Sequence, residues 1–298
     1  MSKKSTLLFL SFLSLCFLVG AVIFLNRNSI LVLEPKGIVA FKERDLLLKA
    51  SALMALIVVP VLCLTFGIAW KYRASNTEAK YSPDWDHNLA LESLWWALPC
   101  IIIGILSVMS WEGSHQLDPF QPLNSSVKPL TVQVIALRWK WLFIYPDQGI
   151  ATVNFLQFPE RTPINFLITS DAPMNSFWIP QLGGQVYAMA GMTTQLHLMA
   201  DAAGTFAGAS ANLSGAGFSG MKFVAKSSST VDFDQWVDSA RQVPNSLDSA
   251  EYTQLALPST DTLPGYYSNV MPNLFHSVLM RYVHLPLSSP GDTTSSSQ

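Results

Sequence analysis

Long apolar runs open the chain, and short alternating ones follow them. Leu7 to Leu25 is almost wholly apolar and is preceded by Lys3 and Lys4. A charged start ahead of an apolar stretch is the pattern of a secretory signal or signal anchor. Ala50 to Trp70 carries no charge, and Leu89 to Trp111 carries only Glu92. As helices rising about 1.5 Å per residue, both are long enough to cross a hydrocarbon layer about 30 Å thick. Pro60 and Pro99 fall inside these runs. Neighbouring groups in a membrane can satisfy the carbonyl that a proline frees, so neither run is disqualified.

Beyond Leu130 the period becomes two. "TVQVIAL" (131–137) sets Val132, Val134 and Ala136 against Thr131, Gln133 and Ile135. "WKWLFIY" (139–145), "TPINFLITS" (162–170), "TTQLHLMA" (193–200) and "SGMKFVAK" (219–226) are also short and rich in branched or aromatic residues. These predict strands. A strand over 139–145 puts Trp139 and Trp141 on one face and Lys140 on the other. Pro146, Asp147 and Gly149 supply one turn, and Gly183 and Gly184 another. Such spacing predicts a β-sandwich or barrel. Between two of the strands, "GTFAGASANLSGAGFSGMKF" (204–223) is nearly all small residues and reads as a loop.

Helical spacing returns after Thr230, with Phe233, Trp236, Val237, Ala240 and Val243 on one side. Asp232 and Gln235 have the form of a capping box at its start. A second helix is expected over 273–282. The tail 288–298 is small and polar, a composition that predicts disorder.

Half of the 298 residues are apolar, and the excess lies before residue 112, which divides the chain into a membrane part and a soluble part. The net charge of −2 offers no basic face for nucleic acid. Cys16, Cys63 and Cys100 all lie in apolar runs, so the C-terminal half has no thiolate ligand and no disulfide. Lys3 and Lys4 favour a cytoplasmic N-terminus, and three crossings then export the C-terminal half. Lys71, Arg73 and Lys80 fit a cytoplasmic loop, although Arg27, Lys36, Lys42 and Arg44 in the preceding loop oppose a simple count. Cleavage of the first segment, or lipidation at Cys16 within "LSLC", stays open.

Several stretches resemble one family in order. "LESLWWALP" (91–99), "RWKWLFIYP" (138–146), "SDAPMNSFWIPQLGGQVYAMAG" (170–191) and the small-residue stretch are similar to segments of subunit II of the haem-copper respiratory oxidases. The resemblance covers nearly all of residues 34–285. It implies a membrane-anchored all-β protein: an N-terminal hydrophobic segment, a two-transmembrane-helix hairpin, a cupredoxin-like β-sandwich and a short C-terminal helical extension. The corresponding divisions are 1–27, 28–111, 112–230, 231–285, and a tail at 286–298.

In members of that family that oxidise cytochrome c, these loops hold a two-copper centre. Its ligands are two Cys, two His, a Met and a Glu carbonyl. The matching positions here are Asn175 and Phe218 for His, Ser210 and Ser214 for Cys, and Asn212 for Glu; Met221 alone is kept. Thiolates and imidazoles hold copper, whereas hydroxyl, amide and phenyl groups do not. Met221 on an apolar face reads as core, and Phe218 as filling core volume. His87, His115, His197, His276 and His284 have no partners at ligand spacing. The expectation is that this chain binds no metal.

Within the family, a missing copper site marks the quinol oxidases. "DQGIATVNF" (147–155), "YAMAGM" (187–192) and "SGAGFSGMKF" (214–223) look like the cytochrome bo-type ubiquinol oxidase branch. Trp236, Tyr252, Tyr266, Tyr267 and Phe275 resemble its aromatic-rich C-terminal motif. The resemblance implies a non-catalytic subunit of a proton-pumping complex in the bacterial inner membrane, with its C-terminal domain in the periplasm. That complex oxidises quinol and reduces oxygen to water. Haems and copper would belong to a partner subunit I, and no cytochrome c would bind. A glutamate at the place of Glu92 sits, in that family, at the mouth of a proton channel in subunit I. An ionisable group in a spanning helix is expensive and usually faces protein or water; the plainer reading is a carboxylate that snorkels to the interface. Ubiquinol and menaquinol are not distinguished, and a standalone membrane-tethered cupredoxin-like binding module is the alternative.

Overall fold

The computed structural model describes residues 30–80 and 87–283. The expectations for the first apolar segment, for Cys16, for His284 and for the tail lie outside the described residues. The described residues divide into two compact units, one within 42–118 and one that joins 30–41 to 119–283.

The smaller unit is a helical pair. Helix α1 spans Ile38–Lys71 and α2 spans Leu89–Gln116. Both extend past their apolar runs into charged ends. Asn88 caps α2: its side chain accepts from Leu91 N–H at 3.1 Å. Pro60 and Pro99 lie inside the helices. Both helices are long and apolar enough to cross a membrane.

The larger unit is a sandwich. Its strands are β1 (Leu130–Leu137), β2 (Lys140–Tyr145), β3 (Ile150–Val153), β4 (Phe155–Pro159), β5 (Ile164–Ser170), β6 (Asn175–Trp178), β7 (Val186–Ala188), β8 (Thr194–Leu198), β9 (Gly204–Ser210) and β10 (Lys222–Ser228). After α3 (Thr230–Arg241) come β11 (Ser246–Leu247), α4 (Ser249–Leu255), β12 (Gly265–Tyr267), β13 (Asn269–Val270) and α5 (Leu274–Val283). One sheet has the order β12-β3-β2-β1-β5-β8, the other β4-β10-β9-β6-β7. β1 runs parallel to β5, and β4 to β10.

Between the sheets, Trp141, Phe143, Phe166, Phe177 and Phe223 meet in edge-on and stacked contacts with centroids 5.1–6.2 Å apart. The other face of β1 and β2 is apolar too. Ile135, Leu137, Leu142 and Ile144 pack under Tyr252, Tyr267, Leu274, Phe275 and Val278 of the C-terminal region. Every residue of β2 is therefore buried. A strand covered on one face would alternate; β2 does not, because helices cover the second face.

The groupings differ from the sequence divisions. The C-terminal stretch packs with the sandwich, since β12 is an edge strand of the larger sheet and pairs with β3. Residues 30–41 group with the sandwich rather than with the hairpin. Lys36 N–H donates to Gln181 O (2.7 Å) and Ala40 N–H to Leu182 O (3.1 Å). The Leu182 carbonyl thus satisfies one of the donors that a helix start leaves free. Gly37 permits the approach, because a Cβ there would lie 2.3 Å from Met199 O.

Three local expectations are corrected. Gly204–Ser210 is strand, not loop: a Cβ on Gly208 would fall 2.1 Å from the Phe223 ring, so small residues let that ring lie flat on β9. The capping box of α3 is Ser229 with Asp232, each bonded to the other, and not Asp232 with Gln235. Trp139 lies outside β2, at the tight turn from β1, with φ +65°. It still packs against the inter-sheet core with Trp141. Lys140 points the other way, and Nζ donates to Leu255 O (2.8 Å) and Leu257 O (3.0 Å) at the end of α4. Burial pushes its ammonium below the usual lysine range.

Candidate functional site

Strand pairing brings four of the six copper-position residues to one rim. β6 pairs with β9 through Phe177 and Ser210, which places Asn175 beside Ser210. Ser210 N–H donates to Met221 O at 3.1 Å, so the start of β10 joins them. Ser210 Oγ donates to Asn175 Oδ1 (3.1 Å), and Asn175 Nδ2 donates to Pro173 O (2.7 Å). Asn212 Nδ2 donates to Met174 O at 3.0 Å. These amides and hydroxyls close on one another and on local carbonyls.

Met221 reaches this rim only through its backbone, and the other two positions, Phe218 and Ser214, lie around it. Met221 is fully buried in the inter-sheet core, as its sequence context implied. Phe218 is not: it is half-buried on a short 3-10 turn, Phe218–Gly220, so the core-filling expectation is corrected. The turn holds it at the rim, where the chain descends into β10. Ser214 presents its carbonyl to the Trp139 indole, with Nε1···O 3.2 Å. Its Oγ is buried and has no hydrogen-bond partner among the described residues.

The indole explains the small residues after Ser210. It rests on the turn so closely that a Cβ on Gly217 would lie 2.4 Å from Trp139 Cδ2. Gly215 adopts φ +109°, a region L side chains rarely enter. Beside the indole is a cavity of about 190 Å³ lined by Leu137, Arg138, Trp139, Ala172, Pro173, Asn175 and Ser214. Its polar lining comprises a guanidinium, an amide and a hydroxyl. Copper needs thiolate or imidazole donors, so these side chains do not fit it.

Histidines are dispersed. His197 Nδ1 lies 3.0 Å from Pro119 O, and His115 Nδ1 lies 2.8 Å from Trp111 O. His276 lines a separate cavity of about 480 Å³. Among the described residues, no three His, Cys, Asp or Glu side chains come together.

Glu92 occupies the first turn of α2. Its Oε1 accepts from Asn88 N–H (3.0 Å) and lies 2.6 Å from His87 Nδ1. It is half-buried, while Trp95 and Trp96 on the same turns are 59% and 72% exposed. The carboxylate thus completes the helix cap and pairs with an imidazole. The sequence reading considered His87 only as a metal ligand and missed this pairing; a His five residues before a Glu across a helix start was the available signal.

A second polar cluster was missed altogether. The Asp171 side chain, 7% exposed, accepts from Tyr252 OH (2.6 Å), Tyr282 OH (2.7 Å) and Arg281 (3.2 Å). The Arg281 guanidinium also lies over the Tyr252 ring, 5.3 Å from its centroid. The cluster ties α4 and α5 to the loop that leads into Asn175. Its members are far apart in sequence, so no local spacing marks them.

Comparison with known proteins agrees with this architecture. Residues 148–228 match the family described as cytochrome c oxidase subunit II, periplasmic domain. Residues 241–285 match the COX aromatic rich motif. The cytochrome bo(3) ubiquinol oxidase subunit 2 of Pseudomonas aeruginosa is 49% identical over 284 residues, which is 95% of this chain and 85% of that protein. The same subunit of Pseudomonas putida is 53% identical over 84% of this chain and 80% of that one. The ubiquinol oxidase subunit 2 of Acetobacter aceti is 47% identical over 84% and 82%. Two apolar helices and a periplasmic-domain match make this a membrane-anchored protein with a periplasmic domain. With near half of its residues shared along most of its length, the chain belongs to the subunit II family of cytochrome bo(3)-type ubiquinol oxidases.

Proposed function

We propose that this subunit serves its oxidase without a redox centre of its own. Quinol gives its electrons to haem and copper in a partner subunit I, and no cytochrome c is used. The chain crosses the membrane through α1 and α2 and packs against the other membrane subunits. Its periplasmic sandwich is structural. The observation that carries this reading is the closed hydrogen-bond set of Asn175, Ser210 and Asn212 at positions where related loops hold copper. Amide and hydroxyl groups that satisfy one another leave no soft donor for a metal.

Glu92 adds a second role, proton uptake from the cytoplasm. Its place in the first turn of α2 and its 2.6 Å contact with His87 support this. Two titratable groups in contact can pass a proton without moving the backbone.

The test is metal analysis of the purified complex. Its haem spectrum should be present. Its copper should equal what subunit I alone accounts for, with no near-infrared band or paramagnetic signal of a mixed-valence copper pair. Such a signal, lost when this chain is removed, would overturn the reading.

A further inference from the structure

One end of the helical hairpin gathers both signs of charge around a small cavity. Its volume is about 170 Å³, and its polar lining is Lys42, Asp45 and Lys49 of α1 with Glu112 and Gln116 of α2. The helices are close here, since a Cβ on Gly113 would lie 2.9 Å from Leu46 Cδ2. Lys49 pairs with Asp45 at 2.6 Å. The side chains of Lys42 and Glu112 make no hydrogen bond or ion pair among the described residues.

Sequence fixes the depth of this cavity. No residue between Lys49 and Lys71 is charged, and none between Glu92 and Glu112. As helix, each run spans about 30 Å, the thickness of the bilayer hydrocarbon. Lys49 and Glu112 therefore mark the same boundary on two neighbouring helices. Hydrocarbon gives way to phospholipid headgroups at that level. This placement rests on the reading that α1 and α2 both span the membrane.

The charges have the pattern of a zwitterion's complement. Lys42 and Lys49 lie two turns apart on one face of α1, about 10 Å along its axis. Asp45 lies between them, and Glu112 faces the cavity from α2. We propose that the cavity binds the headgroup of a phospholipid with a primary ammonium, phosphatidylethanolamine in chemistry. The phosphodiester takes the two lysines, and the ammonium takes Asp45 and Glu112. The acyl chains continue down the exposed apolar surface that starts at Leu47 and Leu48. An anionic headgroup would satisfy the lysines and set its charge against two carboxylates. A trimethylated ammonium carries no N–H to donate to them.

The experiment uses the purified complex in nanodiscs doped with a phosphatidylethanolamine that carries a photoactivatable acyl chain. After illumination, mass spectrometry should find label on peptides from the start of α1 and the end of α2. Added phosphatidylethanolamine should compete; phosphatidylcholine and phosphatidylglycerol should compete several-fold less well. Lys42→Gln with Glu112→Gln should reduce the label several-fold at unchanged haem content, and Lys42→Arg should retain it. Label that persists in the double variant, or equal competition by all three lipids, overturns the site. A complex without haem would count against the functional reading instead, and the labelling ratio is read independently of it.

Discussion

A methyl group decides the packing at two glycines. At Gly217 it would fall 2.4 Å from Trp139, and at Gly208 2.1 Å from Phe223. Gly217→Ala should thus displace the indole from Ser214 O and destabilise the domain by about 1–3 kcal/mol. Denaturant unfolding followed by tryptophan fluorescence checks this; an unchanged midpoint would contradict the packing. The copper positions allow a bolder substitution. Asn175→His, Ser210→Cys, Asn212→Glu, Ser214→Cys and Phe218→His together should create a copper site, because Asn175 and Ser210 already touch and Met221 is bonded to Ser210 through the backbone. Phe218 is half-buried, so its replacement should cost less than a core aromatic would. The measurement is copper content together with a near-infrared band. A folded variant that binds no copper would show the loop register to be wrong.

The spans and strands β1, β2, β5, β8 and β10 were legible from sequence, because their apolar runs and alternation reflect burial directly. β9 was not. Glycine and alanine are poor strand formers by propensity, and only the Phe223 ring lying across Gly208 makes them the right choice. Trp139 followed the aromatic pattern of β2, yet a two-residue turn with positive φ places it outside the strand. The capping box of α3 began three residues earlier than Asp232, since Ser229 was equally able to start it. The Asp171 cluster had no local signature at all, and it carries its own prediction. Tyr282 is pushed up to about 12, first by burial and then by its bond to Asp171. Tyr267 is also pushed up to about 12, by burial and then by Glu251. Unfolded, these phenols lose their protons near the ordinary value of 10.0; folded, they hold them to about 12. Below pH 10 their contribution is complete, and it falls as pH rises from about 10 to 12. Thermal unfolding of the purified complex across that range should show the loss. Asp171→Asn should destabilise by about 2 kcal/mol at neutral pH and flatten the alkaline decline. An unchanged alkaline slope would separate the tyrosines from Asp171.

At the scale of the whole molecule, the proposed proton uptake at Glu92 is the route by which this chain would alter turnover. Two roles meet in its carboxylate. Oε1 closes the start of α2 by accepting from Asn88 N–H, and the same atom contacts His87. A cap alone needs an acceptor, whereas proton uptake needs a group that titrates. Glu92→Gln separates them, because an amide oxygen can still accept from Asn88 N–H but cannot release a proton in the working range. The expected outcome is a fully assembled complex with normal haem content and quinol-driven oxygen consumption reduced several-fold. Glu92→Asp keeps a titratable group on a shorter arm, and it should retain more activity than Glu92→Gln even if the cap is weakened. Glu92→Ala should lose both the cap and the activity. Oxygen consumption is measured per haem in each variant, so that assembly and turnover are read apart. If Glu92→Gln turns over as the wild type does, the carboxylate is a helix cap and protons enter the complex elsewhere.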